Sequence, residues 1–376
     1  MKASNDDVLR WFSADYIVAR ECFRDAAKRL GVDVDSRAIA VRGPSEEQLT
    51  VDFCWVGPTN ARKLILHSSG VHGVEGIPGS ATQTMLLEQL HAGDLVLPSG
   101  VAIAFIHIVN PWGMAWLRRV NEDNADLNRN FLPDGEEYAG EPKHYARLNS
   151  LLNPRSGPGG FDPFLLKALW AVLTLGFSTA KQTVQEGQYE RPKAMQYGGA
   201  KLAESSRHVL DWLGENLGEV NRAISIDFHT GLGPFGVDSL LIFGDETRER
   251  LNRLSLLYGP TLMGSDPKSS VAYRIRGGIQ QRFETDWPNI KWTTITQEFG
   301  TIKPIPLLKI ARAENRLTQW GNKPPLSLLH SRERVKMLES FSPSSMKWRR
   351  MILDRGRALV DDAIKHLIAT GDDALA

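Results

Sequence analysis

The segment His72-Gly73-Val74-Glu75-Gly76 sets an imidazole and a carboxylate three positions apart in a glycine-bracketed turn, just after the strand-like run 63–67. Zinc takes nitrogen and oxygen ligands of this kind, and a catalytic site keeps one position open. Glycine allows the sharp bend that brings both side chains to one ion. Loops beyond the carboxyl ends of strands are also where open α/β sheets place their sites. A polar turn carries the same spacing by chance, so His72 and Glu75 alone leave both readings open.

Three later segments bear on that choice. Arg118, Arg119 and Asn121 precede the run Asp126-Leu127-Asn128-Arg129-Asn130-Phe131, which is too polar for a core strand. Residues 223–228 read as a strand ending in His229, and residues 292–298 as a β-branched strand ending in Glu298. Taken singly, each has a plainer reading: Arg119 and Arg129 as surface or ion-pair arginines, His229 as a hydrogen-bonded core histidine, Glu298 as a strand-end charge. Asp227 shares a strand face with His229 and either backs the site or closes a hydrogen bond. His67 and His107 end strands near these motifs and leave a second metal site open, without a full ligand set.

Together and in this order, HxxE, RxN with DLNRNF, a strand ending in His and a strand ending in Glu resemble the zinc carboxypeptidase (carboxypeptidase A-like) family. The nearest resemblance is to a bacterial "domain of unknown function" branch, related also to aspartoacylase and succinylglutamate desuccinylase, which opens with a helix like FSADYIVARECF. Smaller pieces agree. Ser45-Glu46-Glu47 resembles an S-x-E-G-R hairpin without its Gly-Arg, Asn110-Pro111-Trp112-Gly113 an N-P-D-G turn with Trp for Asp, and Tyr197-Gly198-Gly199 with Glu204-Ser205 a Y-x-G…S-E segment. The resemblance covers about residues 36–300.

That resemblance implies a role for each position. His72, Glu75 and His229 would hold one Zn2+, a second metal not being excluded, and Asp126 would accept a hydrogen bond from the far nitrogen of His72, fixing its tautomer. Arg119 would polarise the scissile carbonyl and stabilise its oxyanion. Asn128 and Arg129 would grip a terminal carboxylate, which a guanidinium fork suits. Glu298 would take a proton from water and return it to the leaving amine. Tyr273, in a Y-x-x-x-G-G segment, would close over the substrate, and Gln280 would make the side-chain pocket polar. The implied reaction is hydrolysis of an amide or peptide bond next to a carboxylate-bearing residue of a small peptide-like substrate. The alternative is aspartoacylase-like deacylation of N-acyl amino acids, toward which Asp227-Phe228-His229-Thr230-Gly231 leans, while the 197–205 segment and the Tyr273 loop lean toward carboxypeptidases. A binding module that has lost catalysis would lack Glu298 or a ligand, and none is missing.

The elements that must position these residues follow from periodicity. Apolar positions at helical spacing predict a helix over 6–30 stopping at Gly31. Strands are expected at 37–42, 49–56, 63–67, 101–109, 223–228, 239–243 and 292–298, and helices near 80–90, 201–217, 246–258, 306–319 and 344–369. Such alternation predicts an α/β three-layer sandwich, a mixed and mostly parallel sheet with helices on both faces. The chain reads as one catalytic domain, 1–376, with an insertion at about 132–199. Within it an apolar helix at 164–177 precedes a polar connection at 178–199. This insertion is expected beside the mouth of the site, making a partly covered cleft for short substrates.

The 376 residues are 42% hydrophobic and 24% charged with a net charge of +1, so no basic field recruits nucleic acid or an anionic membrane. The longest apolar stretch, 164–177, is too short to span a bilayer. Cys22 and Cys54 read as reduced thiols, and the N-terminus lacks a signal-peptide pattern. The expected location is the cytoplasm, and the expected partner is a small peptide or acyl-amino-acid substrate.

Overall fold

The computed structural model describes residues 4–159, 162–242, 248–264 and 275–369. Eight strands occur in chain order: β1 (Val34–Arg42), β2 (Gln48–Val56), β3 (Lys63–Ser69), β4 (Val101–His107), β5 (Arg222–Phe235), β6 (Asp238–Ile242), β7 (Leu262–Gly264) and β8 (Lys291–Gly300). They form one sheet in the order β1-β2-β4-β3-β5-β8-β6-β7. The pairs β3–β4, β3–β5, β5–β8 and β6–β7 are parallel, whereas β1–β2, β2–β4 and β6–β8 are antiparallel. The central strands are buried on both faces, which is why β4 is an unbroken apolar run up to His107.

Helices cover both faces, as the alternation of elements predicts. On one side the helices Tyr16–Leu30, Gly76–Ala92 and Met346–Ala369 bury Phe23, Met85, Phe105, Phe228 and Trp348 in the larger core. On the other, Glu204–Asn216 and Ile279–Asp286 close over Phe53, Leu64, Trp212 and Phe283. β5 feeds both: Ile224, Ile226 and Phe228 enter the first core and Ala223 the second, so Asp227 and His229 fall on the face of Ala223.

Several boundaries differ from expectation for identifiable reasons. The 6–30 helix is two helices, Asn5–Trp11 and Tyr16–Leu30, because the Asp15 carboxylate caps the second by accepting from the Val18 N–H at 3.0 Å. β5 does not stop before His229 but runs to Phe235, and its pairing with β8 becomes irregular between Gly231 and Phe235. Part of the supposed polar connection is the helix Phe177–Gln185, whose buried Ala180, Thr183 and Val184 follow helical spacing among polar residues. The helices Tyr145–Leu152, Ile279–Asp286 and Arg332–Phe341 are additional to those that periodicity predicts.

The insertion packs its own small core, with Tyr145, Leu148, Leu152, Phe164 and Val184 gathered against Leu308 of the helix Pro304–Trp320. Asp162 ties the two parts together, accepting from Arg312 at 3.0 Å and from Arg316 at 2.9 Å. Among the described residues no single helix is long and apolar enough to cross a membrane, and the helices Phe164–Leu175 and Phe177–Gln185 meet at a bend of 112°. Cys22 and Cys54 are both free.

Candidate active site

His72 and Glu75 in the turn after β3 are brought together with His229 from the middle of β5. His72 caps a single 3-10 turn, Gly73–Glu75, that runs straight into the helix Gly76–Ala92. Gly73 serves there less for bending than for proximity. A Cβ at this position would overlap the backbone of Gly113 and Met114. That close approach lets the Gly73 and Val74 N–H groups donate to the carbonyls of Arg119 and Arg118 at 3.1 and 2.8 Å. The paired-arginine segment is thereby fixed against the ligand turn. From its other side, Arg118 donates to Glu314 at 2.8 Å, both groups being buried.

The ligand atoms of His72, Glu75 and His229 all lie within 4.8 Å of one another, the only such group among the described residues. His72 Nδ1 is 2.9 Å from Glu75 Oε1, and His229 Nδ1 is 3.3 Å from Glu75 Oε2. Both far nitrogens face carboxylates: His72 Nε2 lies 3.1 Å from Asp126 Oδ1, and His229 Nε2 lies 2.6 Å from Asp227 Oδ2. A carboxylate behind each imidazole fixes the tautomer that turns the Nδ1 lone pair toward the shared centre. Two imidazole nitrogens and a carboxylate are a donor set that fits a catalytic zinc ion. Asp227 is held in turn by the Ser68 hydroxyl at 2.7 Å, and the Thr230 N–H donates to Glu75 at 2.9 Å.

The electrostatics are those of a dense buried cluster. Burial raises the Glu75 carboxyl, but the two histidines outweigh it and hold the group well below the usual range. Asp126 behaves likewise, with Arg119 and His72 overcoming burial. Burial opposes the charged form of His229, yet the carboxylates of Asp227 and Glu75 keep its imidazole well above its ordinary value. Glu298 goes the other way: burial first and the Glu75 charge second push it up to about 7.

Glu298 is the register partner of His229 across β5 and β8, and its Oε1 accepts from the Leu232 N–H at 2.7 Å. Gly231, at a φ of +144°, carries no side chain where a Cβ would stand 3.3 Å from Glu298 Oε1. Arg119 leans on the ligand cluster: Nη1 donates to Glu75 at 3.1 Å, while Nη2 is 2.6 Å from His72 Nε2 and donates to Asp126 at 3.2 Å.

The sequence matches the family described as Protein of unknown function (DUF2817) over residues 12–355. The chain belongs to that family. No curated protein sequence matches it. Among solved structures, bovine thrombin-activatable fibrinolysis inhibitor in complex with tick carboxypeptidase inhibitor is 13% identical with a TM-score of 0.51, covering 96% of this chain and 99% of that one. Carboxypeptidase A from Helicoverpa armigera is 13% identical with a TM-score of 0.46, over 81% of this chain and 72% of that one. Murein-tripeptide amidase MpaA from Escherichia coli O157 is 16% identical with a TM-score of 0.36, over 77% and 93%. At such identities the likeness is one of fold, and the first of these structures carries it: the DUF2817 chain has a carboxypeptidase-like α/β fold.

The other positions singled out in this DUF2817 sequence fall elsewhere. A cavity of about 170 Å3 opens from His72, Glu75, Arg119 and Glu298, and neither Asn128 nor Arg129 lines it. Arg129 is fully buried and donates to the carbonyls of Gln185 and Asn128 at 2.8 and 2.7 Å, which clamps the insertion to the 127–131 segment. Asn128 accepts from the Ile279 N–H at 3.2 Å. Gln280 is also buried, donating to the Ile295 carbonyl at 2.8 Å rather than facing the cavity. Tyr273 lies outside the described residues. His67 and His107 are core residues: Gln83 Nε2 is 3.2 Å from His67 Nδ1, and His107 meets the Ser80 hydroxyl at 2.9 Å and stacks on Phe23.

Backbone groups were beyond sequence reasoning. The N–H groups of Thr230 and Leu232 hold Glu75 and Glu298, and no residue type signals a main-chain donor. Asp227 was visible as a candidate through its i, i+2 spacing to His229.

Proposed function

We propose that this protein is a zinc-dependent amide hydrolase acting on a small peptide-like substrate, at the bond next to a carboxylate-bearing residue. The observation that supports it best is the convergence of His72 Nδ1, His229 Nδ1 and the Glu75 carboxylate, with Asp126 and Asp227 behind the two imidazoles. When bound by these three residues, zinc supplies Lewis acidity, polarising a carbonyl and making a water acidic near a pKa of about 7. Glu298 takes the proton from the attacking water and returns it to the leaving nitrogen, a two-way role suited to a carboxyl poised at about 7. Arg119, at the cavity wall, faces the oxygen on which negative charge develops. Asn128 and Arg129 act in this reading through the segment they brace, and Arg119 is the arginine that reaches the cavity wall.

A second reading, deacylation of N-acyl amino acids, is favoured by the apolar character of the cavity beyond the metal ligands, where Leu148, Val184 and Leu308 form the wall. One experiment covers both. Bound metal is quantified in wild type and in His72→Ala, and the zinc-loaded protein is assayed on a blocked dipeptide and on an acyl amino acid. Stoichiometric zinc in wild type, absent from the variant, with turnover of either substrate, is expected. Full metal occupancy in His72→Ala would overturn the site.

A further inference from the structure

The cavity does not end at the metal ligands. It continues between the insertion and the helix Pro304–Trp320, where four alanines, Ala168, Ala171, Ala180 and Ala311, line it from three helices. Small residues on facing helices leave width between the backbones, and leucines at 148 and 308 close the sides. A peptide laid along this stretch would bury amide N–H and C=O groups against a mostly hydrocarbon wall, a costly arrangement without partners. A hydrocarbon chain pays no such penalty.

The helix Phe164–Leu175 is apolar on both sides. Ala168, Ala171 and Val172 face the cavity, while Leu166 and Leu173 are 70% and 76% exposed. Phe177 does both, lining the cavity while 55% exposed, so it joins the apolar outer face to the cavity.

We infer that this channel binds the aliphatic acyl chain of the substrate, so that the amide cleaved joins a medium-length fatty acyl group to an amino acid. The inference rests on the second, deacylase form of the hydrolase reading for its chemistry and on the channel for its specificity. In the reaction the acyl C–N bond breaks and a C–O bond to water forms. One proton of that water passes through Glu298 to the leaving nitrogen, yielding a fatty acid and a free amino acid. At about 10–15 Å3 per water-sized occupant, the cavity accommodates roughly a dozen heavy atoms, amide included, which bounds the chain at about ten carbons.

The test has two arms on the full chain. In the first, zinc-loaded protein hydrolyses acetyl-, hexanoyl- and decanoyl-alanine. Each buried methylene is worth about fourfold in kcat/KM, so decanoyl should exceed acetyl by at least about a hundredfold. Ala171→Phe, which fills the channel, should lower the decanoyl rate more than tenfold and leave acetyl-alanine unchanged, with Ala168→Leu as a second filling variant should the first fail to fold. In the second arm, 11-(dansylamino)undecanoic acid is titrated into the His72→Ala protein and followed by fluorescence, a readout independent of turnover. Saturable binding that Ala168→Leu weakens supports the channel even if no amide is cleaved, in which case the hydrolase reading alone fails. Acetyl-alanine cleaved as fast as decanoyl-alanine, with no saturable dansyl binding, overturns the acyl channel and leaves the hydrolase standing.

Discussion

His229 and Glu298 face each other as register partners on the parallel strands β5 and β8, which sets a candidate ligand and a candidate base side by side without any loop between them. A one-residue slip in that pairing would turn Glu298 to the opposite face of the sheet. Glu298→Gln keeps the shape of the side chain but cannot take a proton. The expected outcome is a kcat lower by about 10²–10⁴ with zinc content unchanged. Equal loss of zinc and activity would instead make Glu298 part of the metal site.

Asp126 and Asp227 stand behind the two imidazoles. Replacing either with alanine should weaken zinc affinity by about 10–100-fold, measured by competition with a chelating dye. Asp227→Asn should recover part of that affinity, because the amide oxygen can still accept from His229 Nε2. Unchanged affinity in both alanine variants would mean that the imidazoles are oriented by packing alone.

Gly73 is required by the contact it permits. Gly73→Ala forces a methyl into the backbone of Gly113 and Met114, so a loss of about 1–3 kcal/mol is expected in urea unfolding. Gly214, on the helix Glu204–Asn216 with nothing within 4 Å of its added Cβ, is the contrast. Gly214→Ala should be neutral or stabilising by up to about 1 kcal/mol. Similar losses in both variants would remove the close-approach argument.

His107 predicts a pH dependence of stability. Burial pushes its imidazole down to about 4, so between roughly pH 4 and 6.5 the unfolded chain holds a proton on this residue that the folded one does not. Its contribution is therefore complete above pH 6.5 and is lost as pH falls toward 4, on the order of 3 kcal/mol over that window. Comparing urea midpoints at pH 7 and pH 5 in wild type and in His107→Gln isolates it from the other titrating groups. The variant should be less stable at pH 7 and show the shallower decline. Parallel declines would exclude His107 as the source.

Much of this protein is legible in the order of its residues. The run of strands and helices, the candidate ligands His72, Glu75 and His229, and the tie between Asp126 and His72 all follow from periodicity, spacing and the resemblance those motifs carry. Such features are local, because strand and helix periods and a turn motif are written within a few consecutive residues. Convergence is not local. His229 sits 154 positions beyond Glu75, and only the parallel register of β3, β5 and β8 places their side chains around one centre. The same holds for Arg129, which by type reads as a carboxylate binder and by position is a buried brace for the insertion. The apolar channel, too, belongs to tertiary structure: its walls come from helices far apart in sequence, and alanines become a groove only once those helices are packed face to face.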